Sequence, residues 1–426
     1  MRHYILFIVI IYFCASTVKS QDASSTKQRL DFAKMYLEVG GTYFPSFTGN
    51  QLADGIVSHF ESSATINPYL TWGAFHFWGH TEFYVTFPLG QINLDSEHAN
   101  HELSHSVATG ARIYPWAITE GKLRPYIGLN WGAQSYKQVL PPDENQPEIS
   151  KDFMLNFDVG LLYYHKKLAF RLGVNYFSDT EWQYPLSRTE MVEIKTPQFS
   201  AQLGVLYSFD VTKNNTQENR DLWNSYPQVS ELSYDANSFG DFFIGAGPSQ
   251  SFSLSNSKHN ADHYPYLEQK ISSSAYIDLA LGYHFNKANL FIALSFRNPI
   301  YETEGYGTKQ IINKTSLAIE INKFLTDYSG FAPYIGINAS YDRIGYEVNT
   351  DGMMTQEPIS TTIEPGLTFG WDIVPGKTNE ALILRTNLRW YPFSEFEVNG
   401  EKFNFSQLEY NLIQVVFYPE RLKKRK

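Results

Sequence analysis

Along most of the chain, apolar and polar residues alternate with a period of two, the signature of strands with one face in each of two environments. In the run 123–136, Leu123, Pro125, Ile127, Leu129, Trp131 and Ala133 share one face, while Arg124, Tyr126, Gly128, Asn130, Gly132 and Gln134 share the other. The following run sets Phe153, Leu155, Phe157, Val159, Leu161 and Tyr163 against Asp152, Asn156, Asp158 and Gly160. Comparable runs lie at 35–45, 67–78, 81–90, 104–116, 168–177, 197–209, 241–253, 274–285, 288–299, 314–325, 331–343, 360–373, 380–393 and 406–419. This predicts about sixteen strands, each near the roughly 10 residues that a tilted strand needs to cross a bilayer.

The connections add a direction to this pattern. Short turns such as 78–80, 117–122, 165–167 and Asn286-Lys287 follow every second strand, and the intervening loops, such as 138–151 and 178–196, are long and polar. Strict short-long alternation is the pattern of an up-and-down transmembrane barrel, with tight periplasmic turns and larger external loops. Aromatic residues gather where the short turns begin: Phe77 and Trp78, Tyr114 and Trp116, Tyr163 and Tyr164, Tyr207 and Phe209, Tyr283 and Phe285. Rings with an apolar body and a polar tip favour the headgroup layer, so they are expected to form an inner girdle.

Composition narrows the class further. Only 18% of the 426 residues are charged beside 16% aromatics, a balance opposite to that of disordered or coiled-coil chains. Residues 1–20 read as a secretory signal peptide: Arg2 and His3 precede an apolar run from Tyr4 to Phe13, and cleavage is expected near Ser20. The one cysteine, Cys14, lies within that segment, so the exported chain is expected to be held together without disulfides. Loss of Arg2 and Lys19 leaves 32 cations against 44 acids, a net −12, which excludes nucleic acid as the expected partner. The expected surroundings are a lipid bilayer, lipopolysaccharide and an outer-membrane protein partner.

The pattern is also written twice. Arg124-Pro-Tyr-Ile-Gly-Leu-Asn130 has its counterpart in Ala332-Pro-Tyr-Ile-Gly-Ile-Asn338, each in the fifth strand of an eight-strand set. The resulting division is a short N-terminal segment 21–34, a first unit 35–209, a polar periplasmic linker 210–240, a second unit 241–419 and a basic tail 420–426. Gln202-Leu-Gly-Val-Leu-Tyr-Ser-Phe209 carries the polar-x-Gly-x-x-aromatic-x-aromatic pattern of terminal barrel strands. Together with the Pro-Tyr-Ile-Gly strand and the hairpin entered through Arg112-Ile-Tyr-Pro115, it resembles the small outer-membrane β-barrel domain common in Bacteroidota-type bacteria. That resemblance covers both halves and implies an integral protein of a Gram-negative outer membrane. The last strand departs from it, because Tyr410-Asn-Leu-Ile-Gln-Val-Val-Phe417 lacks the glycine.

Two all-β architectures satisfy this pattern: tandem eight-stranded barrels, the favoured form, or one sixteen-stranded barrel. The inward faces carry Glu38, Glu82, Arg112, Arg124, Asp152, Asp158 and Arg171 in the first half, and Asp278, Arg297, Glu320, Asp342, Glu364, Asp372, Arg385 and Arg389 in the second. In two narrow barrels these residues form buried ion networks; in one wide barrel they line a pore. Arg385 and Arg389 are expected to pair with Glu364 and Asp372, in preference to forming an anion-attracting eyelet.

Catalytic chemistry has few candidates. Asp95, Glu97, His98, His101, Glu102 and His105 cluster in one loop, and His259-Asn-Ala-Asp-His263 lies in the matching loop of the second half. Scattered loop histidines are ordinarily solvated, so no metal or cofactor is expected. His105, Ser106 and Glu102 have the residue types of barrel enzymes that deacylate lipid A, but adjacent strand residues point to opposite faces, which opposes a His105–Ser106 hydrogen bond. The expected function is a non-catalytic outer-membrane barrel with long external loops for surface or partner contact. A porin-like diffusion channel is the alternative and a lipid A-modifying enzyme the third reading.

Overall fold

The computed structural model describes residues 33–53, 56–76, 79–94, 100–140, 150–178, 180–210, 239–325, 331–373 and 381–423. Residues 1–20, expected as a signal peptide, most of the segment 21–34, nearly all of the expected linker 210–240, Phe77 and Trp78, and the loop residues Asp95, Glu97 and His98 lie outside the described residues.

Among the described residues, sixteen strands build the walls. The first eight are β1 (Ala33–Phe44), β2 (Thr65–His76), β3 (Thr81–Pro88), β4 (Ala108–Ile113), β5 (Lys122–Gln138), β6 (Ser150–His165), β7 (Leu168–Phe177) and β8 (Phe199–Asp210). Neighbours in sequence pair antiparallel, and β8 returns to β1, with Met35 opposite Phe209, Val39 opposite Val205 and Tyr43 opposite Ala201. The second eight are β9 (Gly240–Ser253), β10 (Tyr276–Phe285), β11 (Leu290–Arg297), β12 (Thr308–Phe324), β13 (Phe331–Thr350), β14 (Ser360–Ile373), β15 (Leu382–Tyr391) and β16 (Gln407–Phe417). They close in the same way through β9 and β16. The chain therefore forms two closed eight-stranded antiparallel barrels, and closure leaves neither wall with an open sheet edge.

The alternation sorts side chains as the wall requires. Val39, Trp72, Ile127, Val159, Leu172 and Leu203 stand exposed on the outside of the first barrel, as do Ile244, Ile277, Leu294, Ile319, Ile337 and Leu367 on the second. The interior holds buried charged groups together with rings and some aliphatic side chains, and glycines make room for its rings. Tyr36 lies against Gly73 on β2, and Tyr126 lies against Gly160 on β6, where a Cβ atom would strike the ring. Tyr334, the repeat-equivalent of Tyr126, lies against Gly370 on β14 in the second barrel. The girdle needs correcting: Trp116, Tyr163 and Tyr207 face outward, whereas Tyr114 and Tyr164 point into the first core. Their hydroxyls find inward partners, Glu82 for Tyr114 and Ser208 for Tyr164, which outweighs a place at the surface.

Among the described residues, the long connections carry strands of their own. Hairpins Thr48–Ala53 with Ile56–Glu61 and Glu181–Pro185 with Met191–Lys195 join into a small sheet above the first barrel, over a core that includes Phe47, Phe60, Tyr136, Trp182 and Ile194. Above the second barrel, β12 and β13 run on past the length needed to cross a bilayer, beside the hairpin Glu395–Val398 with Glu401–Asn404. Each barrel thus has a plain end, holding its chain ends and short turns, and a built-up distal rim.

Candidate functional site

The interiors hold two separate ion networks. In the first, Glu82 is the hub: Arg112 Nη1 donates to its Oε1 at 2.8 Å, Arg171 Nη2 to the same oxygen at 2.8 Å, and the Tyr114 hydroxyl to Oε2 at 2.5 Å. Tyr36 also donates to Glu82. Each guanidinium holds a second acid, Arg112 through Nε to Asp158 Oδ2 at 2.6 Å and Arg171 through Nε to Glu38 Oε2 at 3.1 Å. All five ionisable groups are at most 2% exposed. Hydrogen-bonded pairing of this kind is what makes charge tolerable away from water.

One residue expected in this network stands apart. Arg124 lies near the plain end, where its Nε donates to the Ala117 carbonyl at 2.7 Å and Nη2 to Thr119 Oγ1 at 2.7 Å. It braces the 117–122 turn because its position on β5 is one of the first, below the buried zone. Asp152 sits on β6 opposite Gln134, and its side chain is outside the described set.

The second network spans more of the barrel. Arg389 Nη1 donates to Asp278 Oδ2 at 2.6 Å and its Nε to Glu320 Oε1 at 2.7 Å. Arg385 forms a two-pronged pair with Asp372 at 2.7 and 2.8 Å, its guanidinium 4.0 Å from the centre of the Phe291 ring. Arg297 pairs with Glu409, and Lys314 Nζ reaches Asp342 at 2.8 Å and both Glu364 and Glu409 at 3.5 Å. The expected pairing of Arg389 with Glu364 is therefore replaced. Arg389 reaches across the lumen to acids on β10 and β12, while Glu364 faces Lys314 and accepts from Ser394 Oγ at 2.5 Å.

Lys314 and Glu409 were not among the residues anticipated from sequence. Both are readable from parity: Lys314 is six residues before inward Glu320, and Gln407, Glu409 and Asn411 alternate with Leu408, Tyr410 and Leu412. At the plain end, Arg421 of the basic tail pairs with Asp241 at 3.0 Å and covers the Tyr418 ring at 3.6 Å.

A third feature joins the barrels. Phe153 stacks on Phe252 at 4.3 Å, Trp131 meets Tyr410 edge-on at 4.9 Å, and Phe83 stacks on Trp371 at 4.8 Å. Leu129, Leu155 and Leu254 fill in around the first two pairs. At the distal rim, Arg188 donates to both carboxylate oxygens of Asp351 at 2.6 and 2.5 Å and through Nε to the Tyr306 carbonyl at 2.7 Å. The Tyr306 hydroxyl returns a hydrogen bond to the Pro185 carbonyl at 2.7 Å. Two tight turns present these groups, Tyr306-Gly307 and Asp351-Gly352, with positive φ at all four residues. The hydrogen bond from Arg188 holds the Asp351 carboxyl below its ordinary range.

The loop histidines divide. His101 is a core residue, stacked on Phe60 at 3.7 Å, with Nδ1 2.8 Å from the Tyr136 hydroxyl and Nε2 3.0 Å from Gln51 Oε1. His105 stacks on Phe44 at 4.9 Å, whereas Ser106 Oγ is exposed and accepts from the Ala133 amide at 2.8 Å, so the two diverge from one another. Glu102 is exposed. His259 and His263, by contrast, converge with Glu401.

No protein-family model matches the chain, and no curated protein matches it either. Solved structures to which it is similar include Neisserial surface protein A, at 16% identity over 42% of this chain and 96% of that one, with a TM-score of 0.30. An outer membrane channel from Pseudomonas putida F1 matches at 10% identity over 93% of this chain and 99% of that one, with a TM-score of 0.21. The Pseudomonas putida toluene transporter TodX matches at 10% identity over 95% and 92%, with a TM-score of 0.19.

Proposed function

We propose that the chain is an integral outer-membrane protein without catalytic activity, whose two sealed barrels anchor a joined external platform that contacts a surface ligand or a partner membrane protein. The observation that carries this reading is the pair of interiors occupied by fully buried ion networks beneath rims that are structured and bridged. An aliphatic outer belt on both barrels fits lipid, and outward Trp116, Tyr163 and Tyr207 near the short turns fit the headgroup layer. A wall of eight strands encloses only enough space for side chains, and here charged groups and tyrosines occupy it. The likeness to the Bacteroidota-type barrel domain rests on 112–115, 124–130 and 202–209 and supports the Gram-negative assignment. Lipopolysaccharide outside and bilayer lipid around the belt are the expected surroundings, with a cleaved signal peptide as the route of export.

Planar-bilayer recording of the purified protein tests this. The expected record is flat, without the steps of an open pore; sustained conductance steps would replace this reading with the diffusion channel. Lipid A mass is expected to stay unchanged on overexpression, and a loss of acyl chains would overturn the non-catalytic assignment.

A further inference from the structure

The distal rim of the second barrel carries three groups that neither ion network uses. Helix α1 (Lys258–His263) places His259 and His263 four residues apart, hence on one face, with ring centres 4.6 Å apart. Glu401 enters from a different element, the hairpin whose Asn399-Gly400 turn has φ of 51° and 80°. Its Oε2 lies 2.9 Å from His263 Nε2 and 3.5 Å from His259 Nδ1, and the three donor atoms all fall within 4.8 Å of one another. Donors at about 2.0–2.2 Å around a tetrahedral zinc ion stand roughly 3.3–3.5 Å apart; the two contacts to Glu401, at 2.9 and 3.5 Å, are close to that spacing, and binding would draw the rest of the set in from within 4.8 Å.

A second observation points the same way. His259 is 5% exposed, and its Nδ1 has no hydrogen-bond partner although it is aimed at the carboxylate. Buried ring nitrogens are ordinarily satisfied, and a bound cation would satisfy this one. The ring is walled by Tyr264, Tyr346 and Phe403, at 5.9–6.0 Å between centres. The helix is tied down as well: Asn260 and Gln310 exchange two side-chain hydrogen bonds at 2.9 and 2.8 Å, and Gln310 donates to the Tyr346 hydroxyl at 2.8 Å. His263 and Glu401 are half-exposed, which leaves the solvent side open for a fourth ligand.

We infer that His259, His263 and Glu401 form a site for a divalent transition-metal ion, zinc by preference, which clamps helix α1 to the 395–404 hairpin. Two imidazoles and one carboxylate suit zinc and the neighbouring late first-row ions, and a set assembled from two elements links them when filled. The preference over calcium or magnesium follows from the nitrogen donors.

The test uses the full chain in detergent micelles, stripped with chelator and titrated calorimetrically with Zn2+ alone. One saturable equivalent is expected. His263→Ala and Glu401→Gln should each weaken binding by at least tenfold, since loss of a mere supporting partner already costs about 10–100-fold. Both residues are half-exposed, so the variants are expected to fold, which retention of heat-resistant electrophoretic mobility checks. His165→Ala, near Glu120 at the opposite end, should leave binding unchanged. Absence of saturable binding, or binding that persists in both His263→Ala and Glu401→Gln, overturns the assignment.

Discussion

Replacing Glu82 by alanine probes whether the first barrel is sealed. In the native protein this carboxylate accepts from two guanidiniums and two phenols, all buried. The substitution leaves Arg112 with Asp158 alone and Arg171 with Glu38 alone, and it takes the acceptor from both Tyr36 and Tyr114. Breaking a buried pair costs about 3–5 kcal/mol, because a charge is left without compensation in a low-dielectric interior. Stranded hydroxyls add to the loss, and the surviving pairs reduce it, so the expected destabilisation is about 3–5 kcal/mol in all. Urea unfolding of the protein inserted in lipid vesicles, followed by tryptophan fluorescence, measures it. Glu82→Gln keeps an acceptor for one phenol and should cost less than Glu82→Ala. If Glu82→Ala costs less than about 1 kcal/mol, the figure for solvated ion pairs, the lumen is wet and the argument for a sealed barrel fails.

Other substitutions test separate parts of the architecture. Val39→Arg and Ile337→Arg place a charge at outward positions 62% and 60% exposed, one on each barrel, and each should cost about 2–4 kcal/mol of folding into vesicles if those faces meet lipid; a neutral result at both positions would remove the belt from the bilayer core. Gly73→Ala puts a Cβ atom into the Tyr36 ring, which Glu82 holds in place, and should destabilise by about 1–3 kcal/mol in the same urea assay. At the rim, Asp351 titrates below its ordinary 3.8 because Arg188 donates to it, so its contribution is complete above that value and is lost as the pH falls through the depressed one. The stability gap between wild type and Asp351→Asn should therefore be constant from neutral pH down to about pH 4 and close on further acidification; a gap that closes above pH 5 contradicts the pairing.

Strand positions were legible because period-two alternation is imposed on every wall residue by the two solvents it separates, and all sixteen predicted runs overlap a barrel strand. Whether those strands close once or twice was not, since the outward faces read the same in both cases; the pairing of Tyr43 with Ala201 and Met35 with Phe209 decides it. Local pattern also failed where parity slips. Near Asn411 to Gln414 the register of β16 shifts against both neighbours, leaving Leu412 and Ile413 both outward. The rims were least legible. Asp351-Gly352 and Asn399-Gly400 are strong turn signals, but nothing local states that the first faces Arg188 and the second brings Glu401 to His263, 138 residues earlier.

Closure after eight strands has a further consequence for how such a chain can grow. An even number of crossings returns the polypeptide to the side from which it entered, and here β8 ends at Asp210 on the same plain end where β9 begins at Gly240. A copied gene segment can therefore be appended in frame without carrying a loop through the bilayer, and each copy closes on hydrogen bonds of its own. A seven- or nine-strand unit would deliver its duplicate to the wrong compartment. Evolution by tandem addition is open to this module because its parity is even, and once two modules lie side by side, selection can act on the surface between them.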